Sequence, residues 1–168
     1  PGLGPKSAKR IALYLFKNKE NLMKPLADAM QNAHEKIIRC NICGAIKSLE
    51  VNCSVNKCHY INNSYDQLCI VENIADMWAM ESTNIYKGHY HILGGTLSAL
   101  NGSNPDSLLI SSLIERIKKN KVNEVIIATS ATIEGQTTAH YINDSLKNLN
   151  VKITKLAHGL PVGSEIEY

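Results

Sequence analysis

The spacing of apolar residues changes character near residue 68. Before it, Ala8, Ile11, Ala12 and Leu15 recur at helical intervals, which predicts an amphipathic helix entered through the turn Gly2-Leu3-Gly4-Pro5. Leu22, Leu26, Met30, Ala33 and Ile37 form a second stripe, predicting a helix from about Pro25 to Ile38 that packs against the first. After it, Leu68-Cys69-Ile70-Val71 is a continuous apolar run ending in Glu72, the pattern of a central parallel strand. A helix carrying Ala75, Trp78 and Ala79 follows, then a strand near His89 to Leu93 and the turn Gly94-Gly95. Pro105-Asp106 opens another helix, with Leu109, Leu113 and Ile117 inward, and Val125 to Ala128 is the third strand. Gly135 leads into a helix with Ala139, Ile142, Leu146 and Leu149, and Val151 to Ile153 is the fourth strand. This alternation predicts a parallel sheet with helices on both faces, whose functional residues gather at the carboxyl ends of the strands.

Between the two regimes lies Cys40-Asn41-Ile42-Cys43, answered by Cys53 and Cys58. Two thiols three positions apart can both face inward from a tight turn, and a returning pair completes a tetrahedral thiolate site, for which zinc is the usual occupant. Disulfides are the competing reading. A fifth cysteine, Cys69, lies in an apolar run and reads as a buried free thiol, which fits a reducing setting better. In the second pair Cys53 and Cys58 are separated by four residues, with Asn56 where a closer cysteine would fall. Cys58 is the expected fourth ligand and His59 the alternative.

Charge sharpens the division. The net charge is +3, but residues 1–40 hold eight Lys/Arg against three Asp/Glu while the remainder hold ten against twelve. A basic front end on a near-neutral body points to a polyanion-binding arm, with a solvated helix face as the plainer reading. Gly2 and Gly4 let the backbone come close to a partner, and Lys6, Lys9 and Arg10 follow at the start of the helix. Free N–H groups at a helix start beside lysines make a phosphate site, the pattern of a helix-hairpin-helix. No apolar run approaches the ~20 residues a membrane-spanning helix needs. The chain opens in a Gly/Pro turn and closes within a motif, so it is expected to be a fragment.

At the predicted strand ends stand Glu72 and the segment Thr129 to Gly135, which contains Glu134. A Toprim domain places its acids there, one Glu after the first strand and Asp-x-Asp after the third. The Asp-x-Asp is missing. Magnesium-dependent strand chemistry needs several oxygen ligands on the ion, and two separated glutamates are a poor set. Gly159 to Ser164 lacks the Lys and spacing of a P-loop. His89, His91, His140 and His158 share no ligand spacing, and Ser130 has no recognisable base beside it.

The stretches PGLGPKSAKRIA (1–12), CNIC (40–43), LCIVEN (68–73), YHILGGTLSALNG (90–102), EVIIATSATIEGQTTAHYI (124–142) and AHGLPVGSEIEY (157–168) together resemble the RecR family of bacterial recombination-repair proteins. The resemblance spans essentially the whole chain and implies an α/β protein: a helix-hairpin-helix over 1–39, a zinc knuckle and linker over 40–66, a Toprim domain over 67–156, and a Walker B-like motif over 157–168. It implies no enzyme but a cytoplasmic, nucleoid-associated homo-oligomer, a dimer or tetrameric ring, without membrane contact. Such a protein binds DNA independently of sequence and acts with RecO, and with RecF at gaps, to help RecA displace single-strand-binding protein. Carried over, the DNA contacts fall on Lys6 and Arg10, beside Lys9, Gly2 and Gly4; the zinc ligands on Cys40, Cys43, Cys53 and Cys58; and the RecO-docking glutamates on Glu72 and Glu134. The chain departs from the family pattern at the displaced last cysteine, at Ser130-Ala131, at Gln136 where an acid is common, and at Ser164 where a glycine is usual. A metal-dependent Toprim enzyme, primase-like or a nuclease, is the alternative.

Overall fold

The computed structural model describes residues 2–53, 64–97 and 108–157. The chain divides into two units, residues 1–38 with 48–50, and residues 39–47 with 51–168. The boundary between them falls within two short strands, β1 (Ile37–Arg39) and β2 (Ile46–Ser48), which form a two-stranded sheet.

The first unit holds α1 (Pro5–Lys17), a π-helical segment (Lys19–Met23) and α2 (Lys24–Lys36). Pro5 suits the first turn of α1, where its missing N–H costs nothing. Asn18 ends the helix: its backbone N–H donates to the Leu15 carbonyl at 3.1 Å and its side-chain amide to the Tyr14 carbonyl at 2.8 Å. The structure corrects two expectations. The second helix stops at Lys36, and Ile37 is extended in β1. More important, neither helix has a buried residue and only Leu15 of the two stripes is half-buried, so the stripes form no buried core. The contacts of both helices run mainly to the π segment between them, and Ile11, Leu13, Tyr14, Phe16, Leu26 and Met30 are exposed.

The second unit is built on β3 (Ser64–Val71), β4 (Gly88–Ile92), β5 (Glu124–Ala128) and β6 (Lys152–Lys155), in the order β4-β3-β5-β6 with every pair parallel. Leu68 pairs with both His89 and Val125, fixing the register across the centre. The crossover helices are α3 (Ile74–Ser82), α4 (Ile110–Asn120) and α5 (Ile133–Leu146). Period-two alternation sorts the strands into two cores. Leu68, Ile70, Val125 and Ile127 meet Leu113 and Ile117 of α4 and Ile142 and Leu146 of α5. On the other face Cys69, Val71, Tyr90 and Ile92 meet Met77 of α3. Met77 is the anchor of α3, whereas Trp78 is 58% exposed. Gly135 lies inside the first turn of α5 instead of preceding it. The expected helix start at Pro105-Asp106 lies outside the described residues.

β4 is buried along its whole length although it stands at the end of the strand order, and its His91 meets Arg116 of α4. Arg116 of α4 is fully buried; its Nη1 donates to the Tyr90 carbonyl at 2.9 Å and lies 3.1 Å from His91 Nδ1. Burial, reinforced by the Arg116 charge, pushes His91 down to about 3, so the ring stays neutral in the folded chain. The unfolded chain takes up that proton near pH ~6.5. The stabilising contribution is therefore complete above pH ~6.5 and is lost as pH falls toward 3, by up to ~1.4 kcal/mol per pH unit. His91→Asn should show a shallower fall in denaturation midpoint between pH 7 and 4 than the unsubstituted chain. Parallel curves would contradict this account of His91.

Candidate DNA interface, metal centre and docking edge

The start of α1 is open. Gly2 has φ 81°, a conformation glycine takes without strain, and Gly4 stands at the N-cap with no side-chain hydrogen bond to the first turn. The first turn of α1 carries no acidic residue, and Lys6, Lys9 and Arg10 are all exposed. Uncapped N–H groups and three cations are thus presented together, with positive charge concentrated at the helix end that already favours anions.

The metal centre is assembled from the loop after β1 and the returning chain after β2. The Sγ atoms of Cys40, Cys43 and Cys53 all lie within 4.8 Å of one another. Cys40 and Cys43 are buried and Cys53 is half-buried. Burial alone would raise the Cys40 thiol, but hydrogen bonds from the Cys43 and Ile42 backbone, with help from the Cys43 and Cys53 thiols, outweigh it and hold it below the usual range. The Ile42 N–H lies 3.4 Å from Cys40 Sγ. Three convergent thiols make a donor set compatible with zinc. Cys58 and His59, the two expectations for the fourth ligand, lie outside the described residues. Cys69, in contrast, is pushed up to about 12 by burial and lies 3.8 Å from the Met80 sulfur, a packed and inert thiol.

The knuckle is seated on the end of β4. The Ile92 N–H donates to the Cys43 carbonyl at 2.8 Å, and Ser112 Oγ of α4 donates to the Ile42 carbonyl at 2.8 Å. Gly44 turns with φ 78°, and a Cβ there would run into the Ile92 carbonyl. Arg39 completes the attachment through carbonyls on both sides. Spacing showed none of these links, because Arg39 and Ser112 belong to no recognisable motif.

The carboxyl edge of the sheet carries Glu72 and Glu134 as expected, but the two are not equivalent. Glu72 is half-buried, and its Oε1 accepts the Ser130 N–H at 2.6 Å, tying the end of β3 to the turn after β5. Gly135 permits this closeness, since a Cβ there would meet Ser130 and the Glu72 carboxylate. Glu134, in the first turn of α5, is exposed. A third acid, Asp76, also lines the ~250 Å³ crevice formed by Glu72, Ala79, Met80, Thr129, Ser130 and others. Its Oδ2 accepts the Asn73 N–H at 3.2 Å while Asn73 Oδ1 accepts the Asp76 N–H at 3.0 Å, a capping box at the start of α3. The acids nearest the crevice are therefore engaged in holding backbone. Of the scattered histidines, His89 and His91 are buried in β4, His140 is exposed on α5, and His158 lies outside the described residues.

Family comparison agrees with this layout. The model described as RecR, helix-hairpin-helix, matches residues 1–34, and the Toprim domain model matches residues 66–157. The chain is 54% identical over 167 residues to the recombination protein RecR of Pelagibacter ubique (strain HTCC1062), covering 99% of this chain and 81% of that protein. It is 48% identical over 168 residues to the recombination protein RecR of Bartonella quintana (strain Toulouse), covering 100% and 82%. The corresponding protein of Sinorhizobium fredii is 49% identical over the same length and coverage. A helical front end, a three-thiol cluster, a parallel Toprim sheet and this degree of identity converge, and the chain belongs to the RecR family of recombination proteins.

Proposed function

We propose that the protein is a non-enzymatic, DNA-binding mediator of recombinational repair, acting with RecO and RecF to help load RecA on gapped or single-stranded DNA coated with single-strand-binding protein. The observation that carries this reading is the open, acid-free start of α1, where Lys6, Lys9 and Arg10 stand exposed beside the Gly2 to Gly4 turn. Backbone N–H groups and flexible cations grip phosphates without reading bases. The exposed apolar stripes of α1 and α2 support a homo-oligomer, since faces of this kind are normally covered by a partner.

At the Toprim edge the reading is docking. Glu72 is committed to Ser130 and Asp76 to its helix cap, which leaves exposed Glu134 as the carboxylate best placed to meet a basic partner such as RecO. A magnesium-dependent phosphodiester reaction would need several oxygen ligands converging on one ion, and the Asp-x-Asp that would supply them after β5 is missing. At the knuckle, Cys40, Cys43, Cys53 and Cys58 would hold zinc, and a closed thiolate set fastens structure without activating water.

Three outcomes test the parts. Lys6→Ala with Arg10→Ala should weaken binding to all DNA sequences alike and flatten the log–log salt dependence by up to ~0.9 per lost duplex phosphate contact. An unchanged slope would move the DNA site elsewhere. Glu134→Lys should reduce RecO association in a salt-sensitive manner while zinc content and DNA binding stay near normal. Undiminished RecO binding would remove Glu134 from the interface. Cys58→Ser should lose most bound zinc by metal analysis, and full retention would assign the fourth position to His59, Asn56 or water.

A further inference from the structure

We infer that Arg39, which precedes the first cysteine and is no metal ligand, is the positioning residue that sets the metal affinity of the knuckle, and that Gly94 is there to make room for it. The inference rests on the metal-binding reading of the thiol cluster.

Three carbonyls converge on this one guanidinium. Arg39 Nη2 donates to the carbonyls of Ile92 at 3.0 Å and Leu93 at 2.7 Å, and its Nε donates to the carbonyl of Gly44 at 3.3 Å. Ile92 and Leu93 mark the end of β4, and Gly44 closes the turn that carries both cysteines. Within that turn the Gly44 N–H donates to the Cys40 carbonyl at 3.0 Å and the Cys40 N–H to the Ala45 carbonyl at 2.7 Å. With the Ile92 N–H bound to the Cys43 carbonyl at 2.8 Å, a closed circuit of hydrogen bonds fixes Cys40 and Cys43 against the sheet. Only a planar fork of donors can serve two adjacent strand-end carbonyls and the turn carbonyl together; an ammonium group is a single point.

Gly94 supplies the other half. It has φ 87°, and a Cβ there would strike the Arg39 guanidinium. Its own N–H donates to the Glu72 carbonyl at 2.8 Å, so it is held in place from the β3 side. The bare glycine is thus the surface on which the guanidinium lies. This assigns a role to the Gly94-Gly95 turn that neither DNA binding nor docking uses.

A ligand set loses affinity when the groups that orient it are removed, commonly by ~10–100-fold. Removing the guanidinium frees the Gly44 turn to swing, so Cys40 and Cys43 leave their spacing relative to Cys53. The test measures zinc affinity of the purified full chain by competition with a chromophoric chelator, together with the thiolate charge-transfer and d–d bands of the cobalt-substituted protein. The thermal midpoint of the metal-free protein is the structural control. Arg39→Met should lower zinc affinity ~10–100-fold and perturb the cobalt bands, with a smaller relative effect on the metal-free midpoint. Arg39→Lys should fail to restore affinity, and Gly94→Ala should lower it as well. Gly94→Ala also strains the backbone at φ 87°, but because the two share one contact it should cost less affinity in the Arg39→Met background than in the unsubstituted chain. Zinc affinity and cobalt spectrum unchanged in Arg39→Met, or additive losses in the double variant, would overturn the inference. The Gly94→Ala and Arg39→Lys arms keep it testable if Arg39→Met does not fold. An unsubstituted chain that takes up no zinc would overturn the metal reading and this inference together; intact zinc binding with Arg39→Met unaffected would overturn this inference alone.

Discussion

The hydrogen bond from the Ile92 N–H to the Cys43 carbonyl is the interaction on which the second unit turns. β4 stands at one end of the strand order, and a terminal strand exposes backbone donors and acceptors that attract other chains. Here the knuckle occupies the carboxyl end of that edge, with Arg39 taking the Ile92 and Leu93 carbonyls and Ser112 reaching from α4 to the Ile42 carbonyl. Cys40, Cys43 and Ala45 consequently belong to the same buried cluster as Val71, Met77, Tyr90 and Ile92. The thiol cluster and the sheet share one core, so loss of a metal held there would be felt in the sheet.

The same economy of contacts governs the carboxyl edge. An enzyme that holds magnesium over this edge needs several carboxylates converging on the ion, and the Asp-x-Asp after β5 is missing. In this chain Glu72 braces β3 against the turn after β5, and Asp76 caps α3. Each acid stabilises local backbone through a charge-assisted bond, which is stronger than a neutral one. Glu134, in contrast, is exposed at the start of α5.

Much of the second unit was legible because its strands are short, apolar and separated by helical stripes. Leu68 to Val71 and Val125 to Ala128 could be read as buried strands, and Leu113 and Ile117 of α4 and Ala139, Ile142 and Leu146 of α5 followed from spacing, whereas Leu109 is the left-handed N-cap of α4 and Leu149 lies beyond α5. The first unit was misread for a physical reason. An apolar stripe states that a face wants covering, not what covers it, and the stripes of α1 and α2 are exposed among the described residues. On α3 the buried position is Met77, one residue before the Trp78 that the sequence brings to notice. At the sites, residue types were visible and their backbone partners were not. Nothing in the sequence ties Glu72 to the Ser130 N–H or Arg39 to three carbonyls, because those bonds depend on which strand ends the topology brings together.

Under the proposed function, the start of α1 grips DNA while the Toprim edge docks a partner and performs no strand chemistry. Amide hydrogen exchange of the purified protein, with and without single-stranded DNA and magnesium, tests that separation directly. Protection should appear in the segment from Gly2 to about Ala12, while the amides from Thr129 to Gly135 exchange as in the free protein and the DNA stays intact. Protection of the 129–135 turn by DNA and magnesium, accompanied by cleavage or primer synthesis lost in Glu72 and Glu134 variants, would contradict it.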